Sequence, residues 1–314
     1  MAKTLHPNQI HAISHGAGPM LVLAGPGSGK TTVIIQRIRR LTEKMGVSPY
    51  RILVITFTKA AAEQMKTRYA ALQGKSGVMF GTFHSIFFRI LRQACGYSLE
   101  QVLSEDERRN TLQKLVTEAR ISVQDQEEYI QQFFSQYSLM KNQLLDVSDF
   151  MPDGLPKDEF VALTKKFDGW KRRNEKIDFD DMLTECYDVL SQDEKVRKAW
   201  QDRFDYILVD EFQDVNRAQY ACLQMLAAPK NNLFVVGEHL WLPWCKPVLY
   251  AGFPKRFSGN GKSFSGCELP LFRAYHPVGI SGYRYQCKPL CKGNQRQSGT
   301  GRSHQCFCGK RQWG

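Results

Sequence analysis

The sequence predicts an α/β fold: a parallel sheet with helices on both faces, interrupted by a helical insertion. Three observations carry this. Short apolar, β-branched runs alternate with helix-period segments over residues 19–95. The same alternation resumes after residue 177, and the first apolar run leads directly into a Gly-rich turn that opens a helix.

Met20-Leu21-Val22-Leu23 reads as a short buried strand. After the Gly-rich turn, a helix runs from Lys30 to about Lys44, with Ile34, Ile35, Ile38 and Leu41 at helical spacing. A second strand over 51–55 precedes an Ala-rich helix over 59–73. A third strand over 78–80 precedes a helix over 85–95. Residues 97–176 change character: they are polar and rich in Gln and Glu, with helical stretches at 105–120, 125–145 and 157–173 and breaks at Pro152, Gly154 and Pro156. Strand–helix alternation returns over 177–191, with a strand at 206–210, a helix at 216–228 and a strand at 233–236. From His239 onward Gly, Pro, Ser, Cys and Trp dominate and neither period is sustained.

At 314 residues the chain is long enough for two domains and a substantial core. No apolar run approaches membrane-spanning length and no secretory signal opens the chain, so a cytoplasmic protein is expected. The net charge of +12 suggests a nucleic-acid binder, but its distribution removes that inference. Residues 239–314 hold twelve of the 43 Lys and Arg against one acid, Glu268, leaving residues 1–238 with 31 basic and 30 acidic side chains.

Two runs carry chemistry. Ala24-Gly25-Pro26-Gly27-Ser28-Gly29-Lys30-Thr31, followed by Thr32, lies between a strand and a helix, the context a phosphate-binding loop requires. Small residues let backbone N–H groups approach phosphates, and the helix N-terminus adds a favourable field. Lys30 is suited to neutralise β/γ-phosphate charge and the Thr31 hydroxyl to join a magnesium shell; the first position is Ala24 where Gly is usual. The second run is Asp210-Glu211-Phe212-Gln213-Asp214, at the end of the apolar strand Tyr206-Ile207-Leu208-Val209. Paired acids at a strand end suit one carboxylate, Asp210, to hold Mg2+ and a second, Glu211, to act as general base on the attacking water.

With these runs in place, the chain resembles the N-terminal part of a superfamily-one DNA helicase of the UvrD/Rep/PcrA type. Leu5-His6-Pro7-Asn8-Gln9 is similar to that family's opening motif, which implies that Gln9 reads the adenine edge of ATP. Thr56-Phe57-Thr58-Lys59-Ala60-Ala61-Ala62 resembles the first DNA-contacting motif and Gly81-Thr82-Phe83-His84-Ser85 the next. Residues 177–183 and the acidic run, with Asn216 and Gln219, resemble two more, so that the likeness covers about residues 3–238. It implies single-stranded DNA contacts by Thr56, Phe57, Thr58, His84 and Ser85, since hydroxyls suit phosphates and aromatics stack on bases. It further implies a RecA-like P-loop NTPase domain from 1–96 and 177–238, a helical insertion over 97–176, and a second motor domain beyond it that supplies arginines to the γ-phosphate.

After Glu238 the chain departs from the family pattern. Residues 239–245 admit codons whose one-base offset reads Ile-Tyr-Gly-Phe-Arg-Gly-Ala, the family's next run. Residues 267–277 admit an offset reading Val-Asn-Tyr-Arg-Ser-Ser-Glu-Pro-Ile-Ile. The expectation is that 239–314 is an out-of-frame, non-native tail without a domain of its own. Cys287, Cys291, His304, Cys306 and Cys308 then look like zinc ligands only loosely, with a spacing that fits no strong template. Three functions stay open: an ATP-driven DNA helicase domain, an inactive remnant that binds nucleotide or DNA without unwinding, and a binding module using the basic tail.

Overall fold

The computed structural model describes residues 5–73 and 77–238, together with the backbone of 267–270. Its sheet contains β1 (Met20–Leu23), β2 (Ile52–Thr56), β3 (Met79–Thr82), β4 (Tyr206–Val209), β5 (Leu233–Gly237) and β6 (Cys267–Pro270), in the order β3-β2-β4-β5-β1-β6. Every pairing among β1–β5 is parallel, as the strand–helix alternation predicts.

Alternation along the strands divides the core into two layers. On one face Leu21, Leu53, Ile55, Ile207, Val209 and Val235 pack against α4 (Phe83–Cys95), α8 (Phe179–Gln192) and α10 (Arg217–Ala227). On the other, Met20, Val22, Val54, Leu208 and Val236 meet Ile34, Ile38 and Leu41 of α2 (Lys30–Glu43) and Met65 and Tyr69 of α3 (Lys59–Gln73). β2, β4 and β5 are buried along their whole length, which is why their sequences run apolar without alternation.

Between the two halves of this sheet, α5 (Glu105–Glu118), α6 (Gln126–Asn142) and α7 (Lys157–Arg173) enclose a separate core of Leu112, Phe133, Phe134, Tyr137, Phe160 and Phe167. Its polar composition conceals this aromatic centre. The chain enters and leaves the three-helix segment through one neck, where Leu103 N–H donates to the Ile177 carbonyl at 2.8 Å and Ile177 N–H to the Gln101 carbonyl at 2.9 Å.

Several boundaries differ from expectation. β3 continues to Thr82, and α4 begins at Phe83 because Thr82 and Ser85 form a reciprocal capping box. Helices α1 (Pro7–Ser14) and α9 (Glu194–Arg203) occupy stretches to which the sequence assigns no element. Of residues 239–314 the structure describes only the backbone of Cys267–Pro270, which runs antiparallel to β1 at the sheet edge. The out-of-frame origin of 239–314 and the loose zinc set at 287–308 otherwise lie outside the described residues.

Candidate functional site

Strand order brings the two predicted runs together. β5 lies between β1 and β4, so the loop after β1 and the acidic run after β4 flank the carboxyl end of β5. Open parallel sheets bind ligands at this edge.

The loop after β1 starts as an extension of the sheet, with Ala24 N–H donating to the Gly237 carbonyl at 2.9 Å. Gly27 and Gly29 then adopt φ of +72° and +91°, left-handed conformations that favour glycine. Gly29 is the N-cap of α2, and no side chain caps the helix, which leaves its first-turn N–H groups facing the loop. Thr31 and Thr32 lie half-buried in that first turn.

Gln9, on α1, reaches across to this loop. Its Nε2 donates to the Ser28 carbonyl at 2.7 Å and its Oε1 accepts from His6 N–H at 3.0 Å. Arg37, a residue that the sequence does not mark, holds α1 in place. The guanidinium is buried, donates to the carbonyls of Ala12, His15 and Gly16 at 3.3, 2.8 and 3.2 Å, and lies 4.5 Å from the Phe234 ring centroid. Burial pushes its pKa down to about 10.

Asp210 continues β4 beyond its last strand residue, its N–H donating to the Ile55 carbonyl at 3.0 Å. The side chain is only 5% exposed, and Oδ1 has no hydrogen-bond partner among the described residues. Burial first, and Glu211 next to it second, raise its pKa to about 6. An enclosed carboxylate oxygen lacking a donor fits a hydrated cation. Among the described residues no three His, Cys, Asp or Glu side chains converge as a metal cage. An ion here would therefore complete its shell with phosphate oxygens and water, which agrees with the sparse ligation Mg2+ takes from proteins.

Glu211 adopts φ 52°, ψ 45°, a left-handed conformation that costs a non-glycine residue about 1 kcal/mol. That backbone turn aims its carboxylate back across β5. Oε2 lies 3.3 Å from Lys30 Nζ and accepts from Gln213 Nε2 at 2.8 Å. Lys30 also pairs with Glu238 at the end of β5. Burial acts to lower the Lys30 pKa, but the Glu238 and Glu211 carboxylates outweigh it and hold the ammonium above its ordinary value. Gln213 closes the arrangement, its Oε1 accepting from Glu238 N–H at 3.1 Å. The sequence singles out neither Gln213 nor Glu238 for this geometry.

The residues expected to touch DNA follow β2 and β3, on the other side of β4. They divide into two groups. Thr56 is fully buried and its hydroxyl donates to the Thr58 carbonyl at 2.9 Å, while the Thr58 hydroxyl accepts from Ala61 N–H at 3.1 Å. Ser85 Oγ bonds Thr82 N–H and carbonyl at 2.8 and 2.9 Å. These hydroxyls shape turns and helix starts, and Thr56 has no surface to offer. Phe57 is exposed and meets the buried Phe83 ring edge-on at 6.4 Å. The His84 ring packs edge-on against Phe179 at 5.5 Å, and burial lowers its pKa. Phe179 is 53% exposed, which is unusual for so large an apolar ring. Its signal in the sequence was an aromatic set among three acids, Asp178, Asp180 and Asp181.

Among the described residues no helix is long and apolar enough to cross a membrane. Residues 5–239 match the UvrD/REP helicase N-terminal domain. The chain is 35% identical over 248 residues to YjcD of Bacillus subtilis (strain 168), covering 74% of this chain and 32% of that protein. It is 33% identical over 243 residues to the ATP-dependent DNA helicase PcrA of Staphylococcus aureus (strain Mu50 / ATCC 700699), covering 74% of this chain and 33% of the relative. To PcrA of Staphylococcus epidermidis it is 34% identical over 248 residues, covering 76% and 34%. The chain thus spans about a third of the length of the relatives it matches.

Proposed function

This chain belongs to the UvrD/REP helicase family through its N-terminal domain, and from that premise we propose that it binds ATP with Mg2+ at the carboxyl ends of β1, β4 and β5 and single-stranded DNA along the adjoining ends of β2 and β3. The observation that carries this reading is the convergence of Lys30, Asp210 and Glu211 across β5. The reaction proposed for the family is ATP hydrolysis coupled to movement along DNA and strand separation, in a cytoplasmic setting.

In this reading the N–H groups of Gly27 and of residues 29–32 receive the phosphates, and Lys30 exchanges its carboxylate partners for phosphate oxygens. Thr31 and Asp210 would hold Mg2+, which when bound neutralises phosphate charge. Glu211, released from Lys30, takes a proton from the attacking water, and Gln213 keeps its carboxylate oriented. Gln9 gives up the Ser28 carbonyl to meet the adenine edge. Phe57 and Phe179 offer faces for base stacking, and His84 supports the Phe179 ring.

Phosphate release by the 314-residue chain, measured with and without single-stranded DNA, tests the catalytic part of the reading. DNA-stimulated release lost in Glu211→Gln supports it. Saturable nucleotide binding without release supports the alternative, a domain that binds nucleotide or DNA without unwinding.

A further inference from the structure

The N-terminus of α8 presents an unusual arrangement. Asp178, Asp180 and Asp181 surround Phe179, and each acid is held by cations from the three-helix segment, while the aromatic ring between them faces outward. Lys171, at the end of α7, is the centre. It is 2% exposed, and its Nζ donates to Tyr137 OH at 2.7 Å, Asp178 Oδ2 at 3.0 Å and Asp181 Oδ2 at 2.5 Å. Lys141 of α6 donates to Asp181 Oδ1 at 3.2 Å. Arg108 of α5 and Ser138 of α6 donate to Asp180 Oδ2 at 2.7 and 2.6 Å. The two outer acids also form the capping box of α8, Asp178 Oδ1 accepting from Asp181 N–H at 2.8 Å and Asp181 Oδ2 from Asp178 N–H at 3.1 Å.

Three carboxylates gathered within one helical turn repel one another and resist burial. Three helices supply cations to offset that cost, at a place where an apolar staple would serve the fold as well. What the charges achieve that apolar packing would not is directional: hydrogen bonds hold the side chains of both neighbours of Phe179, Asp178 and Asp180, while the ring between them stands exposed. A pre-ordered aromatic spends little entropy on stacking.

We propose that Lys171 is a positioning residue for the nucleic-acid edge, and that through Asp178 and Asp181 it mounts Phe179 and its partner His84 for contact with an unpaired base. This rests on the DNA-binding reading above and adds to it a role for the three-helix segment: it is the mount of that edge.

The test compares the full chain with Lys171→Met and with the charge-matched pair Lys171→Met/Asp181→Asn. The readouts are thermal stability, affinity for a labelled single-stranded oligonucleotide, affinity for a fluorescent ATP analogue, and amide exchange at Asp178 and Asp181, whose N–H groups make the bonds that flank Phe179. Lys171→Met is expected to lose stability and to bind the oligonucleotide on the order of tenfold more weakly, the scale of one stacking contact, with nucleotide affinity unchanged and faster exchange at Asp178 and Asp181. The double variant should regain stability but not DNA affinity, since the bonds that orient the turn are still missing. DNA affinity that is unchanged in Lys171→Met, or that returns together with stability, overturns the proposal. A wild-type chain that binds no single-stranded DNA sinks the DNA-binding reading instead, and exchange at Asp178 and Asp181 then decides the mounting by itself: equal protection in wild type and Lys171→Met refutes it.

Discussion

Lys30 Nζ lies 3.3 Å from Glu211 Oε2, joining the cation of the phosphate loop to the carboxylate that would activate water. With Glu238 on its other side, the ammonium is held by two carboxylates where phosphate oxygens would bind. Glu238→Gln removes one of them, together with its repulsion of phosphate. Nucleotide affinity should rise several-fold, worth about 1 kcal/mol for a partly exposed pair. Titration calorimetry with ATP and Mg2+ measures it, and weaker binding would assign Glu238 a direct part in holding nucleotide.

Asp210 trades stability for its role. Its carboxylate is buried and Oδ1 has no donor, so Asp210→Asn removes a desolvated charge. The variant should melt a few degrees higher without nucleotide, a gain of about 1 kcal/mol. Nucleotide binding should lose its dependence on Mg2+. Thermal melts with ADP, with and without Mg2+, read both effects.

Asp205 accepts from Arg51 Nε and Nη2 at 2.8 and 2.7 Å and pairs with Lys230 at 2.7 Å, tying the starts of β2 and β4 to the turn before β5. The Arg51 hydrogen bonds are the main cause that lowers its pKa to about 2, with burial opposing them. A depressed carboxyl pKa means stability that is fully present above the unfolded value near 4 and lost as pH falls toward 2. Asp205→Asn should cost about 1 kcal/mol at pH 7, discounted for partial exposure. That difference should vanish by about pH 2. Urea unfolding at several pH values checks it; a constant difference down to pH 2 would contradict the assignment.

Gly237 has no room for a side chain. A Cβ there would sit 2.9 Å from Gln213 Oε1 and 3.3 Å from Gln213 N. Gly237→Ala should displace Gln213 and free the Glu211 carboxylate from its orienting bond, at a stability cost of about 1–3 kcal/mol. Hydrolysis should fall further than nucleotide affinity, which steady-state kinetics paired with equilibrium binding can separate.

The sheet was legible because buried parallel strands write themselves as apolar runs, α3 because it is rich in Ala, and α7 because Phe160, Leu163 and Phe167 keep helical spacing. The Gly-rich loop and the acidic run were legible as motifs. That both suit one magnesium ion was legible too; that they meet across β5 was not, since it depends on strand order. The left-handed turn at Glu211 carries no local signal such as glycine. Thr56 matched a DNA-contacting pattern, yet its hydroxyl serves the turn, a distinction that burial alone makes. The cluster around Lys171 was hidden most deeply. Its members are spread from Arg108 to Asp181, and charged residues in a Gln- and Glu-rich stretch read as a solvated face until folding buries them.

The central claim is that the edge formed by β1, β5 and β4 is a magnesium-dependent ATP site. Equilibrium binding of a fluorescent ATP analogue to the 314-residue chain, wild type against Lys30→Ala and with Mg2+ present or chelated, tests it most directly. The predicted result is saturable binding that weakens at least roughly tenfold on loss of either Lys30 or Mg2+, the scale of one lost charge-assisted contact. Binding of equal strength in all conditions, or none in the wild type, would contradict it.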